Sequence, residues 1–444
     1  MAGVAETKTE EKRAPAVVKQ TPTFPEGGFQ AWGTVLGAFL VQVCQFGYTS
    51  SFGVYQDFYV REYITNSTPS AISWIGSFNA FLMISGGVIS GRLYDKGHFY
   101  SLLWGGSLLT VFSLFMLSLA RPDHYYQVFL TQGLGLGLGG GICYVPSVAI
   151  VSHYFQRRRT LAMTIVASGA SLGAVIHPIM LNHILGKRLG FGNSVRASAG
   201  LVGGLLLIAC SLMRTRLPPK ESHVNSRKVL SSLVHDAPYI AATFGLLVFS
   251  IGFYFPQFYL QLDATSHHLN STFSFYSLVL LNVSSALGRL VPGALANTFG
   301  VANMIVIATF SGSAAIFGMA GVSSIAGVVL VGIIYGFFAG SFVGLTAPLF
   351  ATLTPDLSEL GIRMGVAFFF SGIGTLIGEV CNRTPISGAL LTDKFVWWRP
   401  AVFSGIMAFL GSISFMIMVI LLRSRASKAK VTPDPVVKES GSPS

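Results

Sequence analysis

Arg289 falls inside an apolar stretch that runs over 273–296. A charge there is costly, so it faces a polar cavity or a partner, or it sits one turn from the end and reaches back to the membrane surface. A guanidinium facing a cavity can grip a carboxylate through two parallel hydrogen bonds. Asn282 and Ser285 precede Arg289 at one- and two-turn spacings on the same helical face. That polar stripe serves either a solute or a neighbouring helix. A second polar face, made by Gln42, Gln45, Tyr48 and Thr49, repeats every three or four residues within 30–56. Tyr254 and Gln257 follow Gly252 within 237–260, and Tyr144 lies between Gly141 and Pro146. His177 sits deep in 160–184. Its imidazole titrates near neutrality, which makes it a candidate proton carrier; the plainer reading is a hydrogen-bonded packing histidine beside Pro178. Catalytic arrangements are missing. There is no convergent nucleophile and base, no Cys or His spacing for a metal, and no phosphate loop of the kind an ATP-driven pump needs. No enzyme activity, cofactor or metal is therefore expected. Gly135-x-Gly137-x-x-Gly140 matches a dinucleotide fingerprint in letters only, because it lies inside an apolar helix with no strand before it.

The elements that must position these groups are helices in a bilayer. The 444 residues are 52% hydrophobic and 10% charged, with 50 glycines, and mean hydropathy is +0.63. Soluble domains carry roughly 25% charged residues, and this chain cannot cover a water-facing surface. Segments of the length a bilayer demands, about 20 apolar residues, are read at 30–56, 70–91, 99–120, 125–152, 160–184, 197–213, 237–260, 273–296, 301–320, 324–352, 363–382 and 399–422. They are numbered spans 1 to 12. The expected fold is an all-α membrane protein with twelve transmembrane helices in two pseudo-symmetric six-helix bundles. Its parts are a disordered tail over 1–28, a bundle over 29–213, a polar linker over 214–236, a second bundle over 237–423 and a tail over 424–444.

The net charge of +12 is scattered in short runs between apolar stretches, which is a topology pattern and excludes a nucleic-acid face. With both tails cytoplasmic, 21 Lys and Arg residues lie inside and 8 outside. Sequons at Asn66 and Asn270 fall in expected outer loops and are candidate glycosylation sites. Cys44, Cys143, Cys210 and Cys381 lie in or beside apolar segments, so no disulfide framework is expected. Residues 1–23 are polar and read as no cleavable leader. Membrane lipid is the expected surrounding, in the plasma membrane rather than an organelle, with no obligate protein partner.

The halves repeat. Gly91-Arg92-Leu93-Tyr94-Asp95-Lys96-Gly97 follows span 2, and a degenerate copy from Gly293, with Asn297 in place of the acid, follows span 8 at an offset of 202. Arg159 and Arg363 open spans 5 and 11 at an offset of 204. Gly91, Arg92, Asp95 and Lys96, together with Arg159 and Arg363, are the candidate gating residues. Asp95 can accept from backbone N–H groups at a helix N-terminus, or pair with Arg92 or another inner-loop arginine.

Gly91, Asp95, Lys96 and Gly97 resemble the loop signature of the major facilitator superfamily. Glu26-Gly27-Gly28-Phe29-Gln30-Ala31-Trp32, and Tyr154 to Ala162 followed by Ala167 to Gly173, resemble its monocarboxylate-transporter-like branch, especially the fungal members. The resemblance implies a secondary or facilitative transporter of a small, monocarboxylate-like organic anion, with a proton as co-transported partner. It also implies that spans 1 and 7 line the cavity, so that Gln45, Tyr48, Tyr254 and Gln257, with Tyr144 in span 4 and Asn282, Ser285 and Arg289 in span 8, are candidate solute contacts. The lysine of the animal members falls on Ser50 and their aspartate on Ser285, while their arginine is present as Arg289. These departures open an alternative, a transporter of a larger fungal metabolite or vitamin, and more distantly a non-transporting nutrient sensor. The family reads glycine, one residue, proline near the end of span 11, but Gly378 to Pro385 runs about five residues longer. No function is assigned to Glu379 or Arg383 there.

Overall fold

The computed structural model describes residues 24–185, 190–217, 226–257, 271–321, 325–383 and 398–431. These residues form helices and no strands, and twelve helices are long and apolar enough to cross a membrane. Span 1 is Phe29–Tyr63, span 2 Pro69–Asp95, span 3 Phe99–Leu117, span 4 Tyr125–His153, span 5 Arg159–Ile184 and span 6 Gly190–Leu212. Span 7 is Ala237–Gln257, span 8 Ser271–Phe299, span 9 Val301–Gly318, span 10 Ile325–Thr352, span 11 Leu360–Arg383 and span 12 Trp398–Val431.

Local chemistry sets several ends. Thr68 caps span 2, its hydroxyl accepting from the Ala71 N–H, with Pro69 at the first helical position. Gly97 and Gly300 take positive φ, 90° and 79°, just past spans 2 and 8, the left-handed stop that glycine permits. Span 1 runs past its expected end at residue 56 through the helix Phe52–Phe58 and a π-helical turn at Tyr59–Tyr63, and it holds an earlier π-helical turn at Val43–Gly47.

Helix is found within the expected linker and the expected C-terminal tail. Helix continues to Val431 beyond the expected end of span 12. A short helix, Ser226–Leu233, lies within the linker and buries Val229 and Leu233. At the other end Glu26 is tied down: its carboxylate accepts from the N–H groups of Gln156, Arg157 and Arg158 at 2.7, 2.6 and 3.1 Å. Trp32 meets Phe155 edge-on at 5.3 Å. The two stretches that carried the branch resemblance thus clasp each other.

Packing repeats with a period of six spans. Span 1 packs on 5 and 6, span 2 on 4, and span 3 on 4 and 6; span 7 packs on 11 and 12, span 8 on 10, and span 9 on 10 and 12. The halves meet where span 5 crosses span 8 and span 2 crosses span 11. Small residues make those crossings possible, because a Cβ at Gly91 or at Gly361 would run into the other's backbone.

Candidate functional site

Between the halves lies a cavity of about 410 Å³, lined by spans 1, 2, 5, 7, 8, 10 and 11. Its apolar wall includes Phe46, Phe52, Phe253, Leu281 and Val343, and its polar groups include Thr49, Gln56, Asn282 and Arg289. The lining residues of span 2, from Ser73 to Met83, run from the middle of the helix to the end opposite Asp95. The cavity therefore lies on the far side of the closure made at Asp95.

Arg289 is the charge at the centre of this arrangement. It is 9% exposed. Its Nη1 donates across the interface to the Ala167 carbonyl of span 5, and its Nε has no hydrogen-bond partner among the described residues. No carboxylate pairs with it among those residues. Tyr144 and Tyr254 lie within its electrostatic reach. A buried guanidinium with spare donors is set up to receive an anion.

The expected contacts divide. Arg289, Asn282, Tyr254 and Gln257 line the cavity. Tyr144 stands behind the wall, edge-on to Phe46 at 4.8 Å and stacked on Phe368 at 5.2 Å. Ser285 is 5% exposed and accepts from Ser171 at 3.4 Å in the crossing of spans 5 and 8. Gln45 and Tyr48 turn inward instead. Gln45 Nε2 donates to Thr110 of span 3 at 3.0 Å, and the Tyr48 hydroxyl pairs with that of Tyr55 at 2.5 Å. His177, fully buried, places Nε2 3.2 Å from the Val43 carbonyl and packs edge-on to Tyr48, away from the cavity. The face of span 1 that does reach the cavity carries Phe46, Thr49, Gly53 and Gln56. Those positions also recur at three and four residues, a signal the sequence held beside the more polar face.

Glu379 was passed over and lines the same cavity at 3% exposure. Asn66 is exposed, and its Nδ2 donates to the Asp123 carbonyl at 2.9 Å. Asn270 lies outside the described residues.

The gating groups also divide. Asp95 accepts from the Gly361 and Ile362 N–H groups at 2.9 and 2.7 Å, at the start of span 11. The carboxylate is held by backbone donors at a helix N-terminus, not by Arg92, which is exposed like Lys96. Arg159 is half-buried at the start of span 5 with no ion pair among the described residues. Arg363 works within the second half. Its side chain is 5% exposed and pairs with Asp236 and Glu359, each at 3.2 Å, while Arg425 of span 12 reaches Asp236 at 3.1 Å. Asp236, Glu359 and Arg425 were not foreseen, since the cluster joins three distant segments.

Residues 34–379 match the family model of the Major Facilitator Superfamily. The chain belongs to that superfamily. It is a multi-pass membrane transporter, similar over most of its length to fungal efflux proteins. The aspyridones efflux protein of Emericella nidulans is 33% identical over 417 residues, 94% of this chain and 83% of the relative. The agnestins efflux protein of Paecilomyces divaricatus is 36% identical over 384 residues, 86% of each. Among solved structures, the human organic anion transporter MFSD10 superposes with a TM-score of 0.66 at 14% identity, covering 87% of this chain and 98% of that one. The transporter FucP in its outward conformation gives 0.65 at 13% identity, covering 86% and 99%. At such identities the shared feature is the fold.

Proposed function

We propose that the protein exports an acidic, largely apolar organic metabolite of drug-like size, with Arg289 holding the acid group. The observation that carries this is a buried guanidinium with spare donors in an aromatic-walled cavity. A volume of about 410 Å³ falls within the roughly 300–1,000 Å³ of sites for drug-sized ligands. A two- or three-carbon acid would leave most of it filled with water, so the larger-metabolite reading is preferred to a simple monocarboxylate. Relatives named as efflux proteins support the outward direction.

The cycle is a rocking of the halves about this cavity. The Asp95 side is closed here by the bonds to Gly361 and Ile362 and by the Arg289 bond to Ala167. With both tails cytoplasmic, as the charge distribution supports, and with the chain placed in the plasma membrane, this is the outward-facing state. In that state one guanidinium N–H is engaged by span 5, which loosens the grip on an anion at the side of release.

Proteoliposome flux with a panel of aromatic acids tests the proposal. Arg289→Gln is expected to raise KM for the transported acid about tenfold or more, by the roughly 1.5–3 kcal/mol of a hydrogen bond to a charged group. An unchanged KM in folded protein rejects it.

A further inference from the structure

Thr49 of span 1 stands in the cavity wall and spends its one proton inside the protein. Its hydroxyl donates to Asn79 Oδ1 of span 2 at 2.9 Å, and the Met83 sulfur beside it, at 3.6 Å, is a weak acceptor only. The direction of the Asn79 bond is forced. Asn79 Nδ2 donates to the Gln132 backbone carbonyl of span 4 at 2.7 Å, a group that can only accept. The amide nitrogen is committed there, its oxygen is left for Thr49, and an oxygen must be given the hydroxyl proton. Asn79 and Gln132 are each 4% exposed, so turning the Thr49 proton toward a solute strands a buried acceptor, which is costly. Tyr59 holds the far end, its hydroxyl donating to Gln132 Oε1 at 2.6 Å. The chain of bonds joins the three π-helical turns found among the described residues: Thr49 lies just past Val43–Gly47, Tyr59 opens Tyr59–Tyr63, and Gln132 lies within Phe129–Gly135. Such turns collect at functional sites.

We propose that Thr49 sets the hydrogen-bond polarity of the solute site, selecting molecules whose body carries an O–H or N–H donor over those with an ether oxygen at the same place. The inference rests on the reading of this cavity as the solute site and adds a requirement carried by the first half. No group among the described residues donates to Thr49, so what it offers the cavity is an acceptor. Its neighbours in the wall follow the same pattern: Ser50 donates to the Phe46 carbonyl and Ser73 to the Pro69 carbonyl, each at 2.9 Å. Those two hydroxyls are free to turn, whereas Asn79 holds Thr49 in place. A site built to accept a proton from a solute rejects the analogue that lacks it, because lone pair then meets lone pair where water has been expelled.

The test measures binding to purified full-length protein in detergent of the set of ring-hydroxylated naphthoic acids, each beside its own methyl ether. The set varies the place of the hydroxyl, so the experiment itself finds the separation between acid and donor. In wild type at least one hydroxy acid is expected to bind about tenfold more tightly than its ether. T49V, which keeps the outline of the side chain, is expected to bring that pair within about twofold, and T49S is expected to keep the preference. A wild-type preference below twofold for every pair overturns the inference without needing any variant to fold. A preference that persists in folded T49V overturns it as well, since the bulk of the ether or another group is then responsible. R289Q is expected to lose the advantage of the free acids over their methyl esters while T49V keeps it, so the reading of Arg289 and that of Thr49 fail separately. Binding of no probe overturns both.

Discussion

Replacing Asp95 with Asn tests the closure most directly. The carboxylate receives two charge-assisted hydrogen bonds, 2.9 and 2.7 Å long, from the first N–H groups of span 11. Each such bond is worth about 1.5–3 kcal/mol, and the helix N-terminus adds about 0.3–1 kcal/mol for an anion. Asn keeps one neutral acceptor, worth about 1 kcal/mol, and the site is only half-buried, so screening trims the charged part. The net loss from the closed state is about 2 kcal/mol, or about 30-fold in the equilibrium between states. Thr164 of span 5 packs against Gly293 of span 8 on the same side, and opening exposes it. With the native cysteines replaced, Thr164→Cys should react with a membrane-impermeant maleimide added from the Asp95 side. Asp95→Asn should speed that labelling about 30-fold while the melting temperature stays close to the parent's. A change under twofold in folded protein would show that the bonds seen at Gly361 and Ile362 do not hold the closure.

Gln45→Leu should lower stability by about 1 kcal/mol through loss of the Thr110 bond and leave affinity for a transported acid unchanged within twofold; a tenfold loss would return Gln45 to the solute site. Arg363→Gln should destabilise the second half by about 3 kcal/mol, the lower end for breaking a buried ion pair because Arg425 still neutralises Asp236, read as a fall in melting temperature; an unchanged melt refutes the cluster's role. Partial burial works to raise the Glu26 carboxyl, but the N–H groups of Arg157, Gln156 and Arg158, with the Arg157 charge beside them, outweigh it and hold the group below its ordinary value of 4.5. A lowered folded value means the clasp stabilises fully above about pH 4.5 and fades as pH falls through the lowered value. Hydrogen exchange of the N–H groups of Gln156 to Arg158 should therefore, once corrected for the intrinsic rate, lose protection in that acid window in wild type. In Glu26→Gln it should be weaker and flat, and a parallel acid response in both proteins would assign the loss to another group.

The spans were legible because a bilayer imposes length and hydropathy on every crossing. Asp95 was legible because a short loop between helices leaves few places for an acid. Reading failed where the local helix departs from regularity. The π-helical turn at Val43–Gly47 shifts the register of span 1, so that Gln45 and Tyr48 serve the first half's interior while Phe46 and Gln56 reach the cavity. Polarity misled in the same place: within a bundle, Gln45 to Thr110 and Tyr48 to Tyr55 are what polar groups do when lipid offers them nothing. Glu379 was named but given no role for another reason. It stands where the spacing departs from the family's habit, and only packing reveals that the departure faces the cavity.

Arg289 joins the two themes of closure and binding. Its bond to Ala167 spans the halves, so on the proposed reading the same guanidinium counts toward the closed state and toward the solute. An anion and the span 5 carbonyl compete for one donor. Because a ligand shifts a conformational equilibrium only by its differential affinity for the two states, that competition gives the solute a preference for the state in which the Ala167 bond is broken. The preference is the size of one hydrogen bond, about 1 kcal/mol, small enough to leave the cycle reversible. In the closed state seen here the carbonyl holds its share of the donor, so on the proposed reading an acid would be bound less tightly on the side where the cavity lies, which is the asymmetry that export would need.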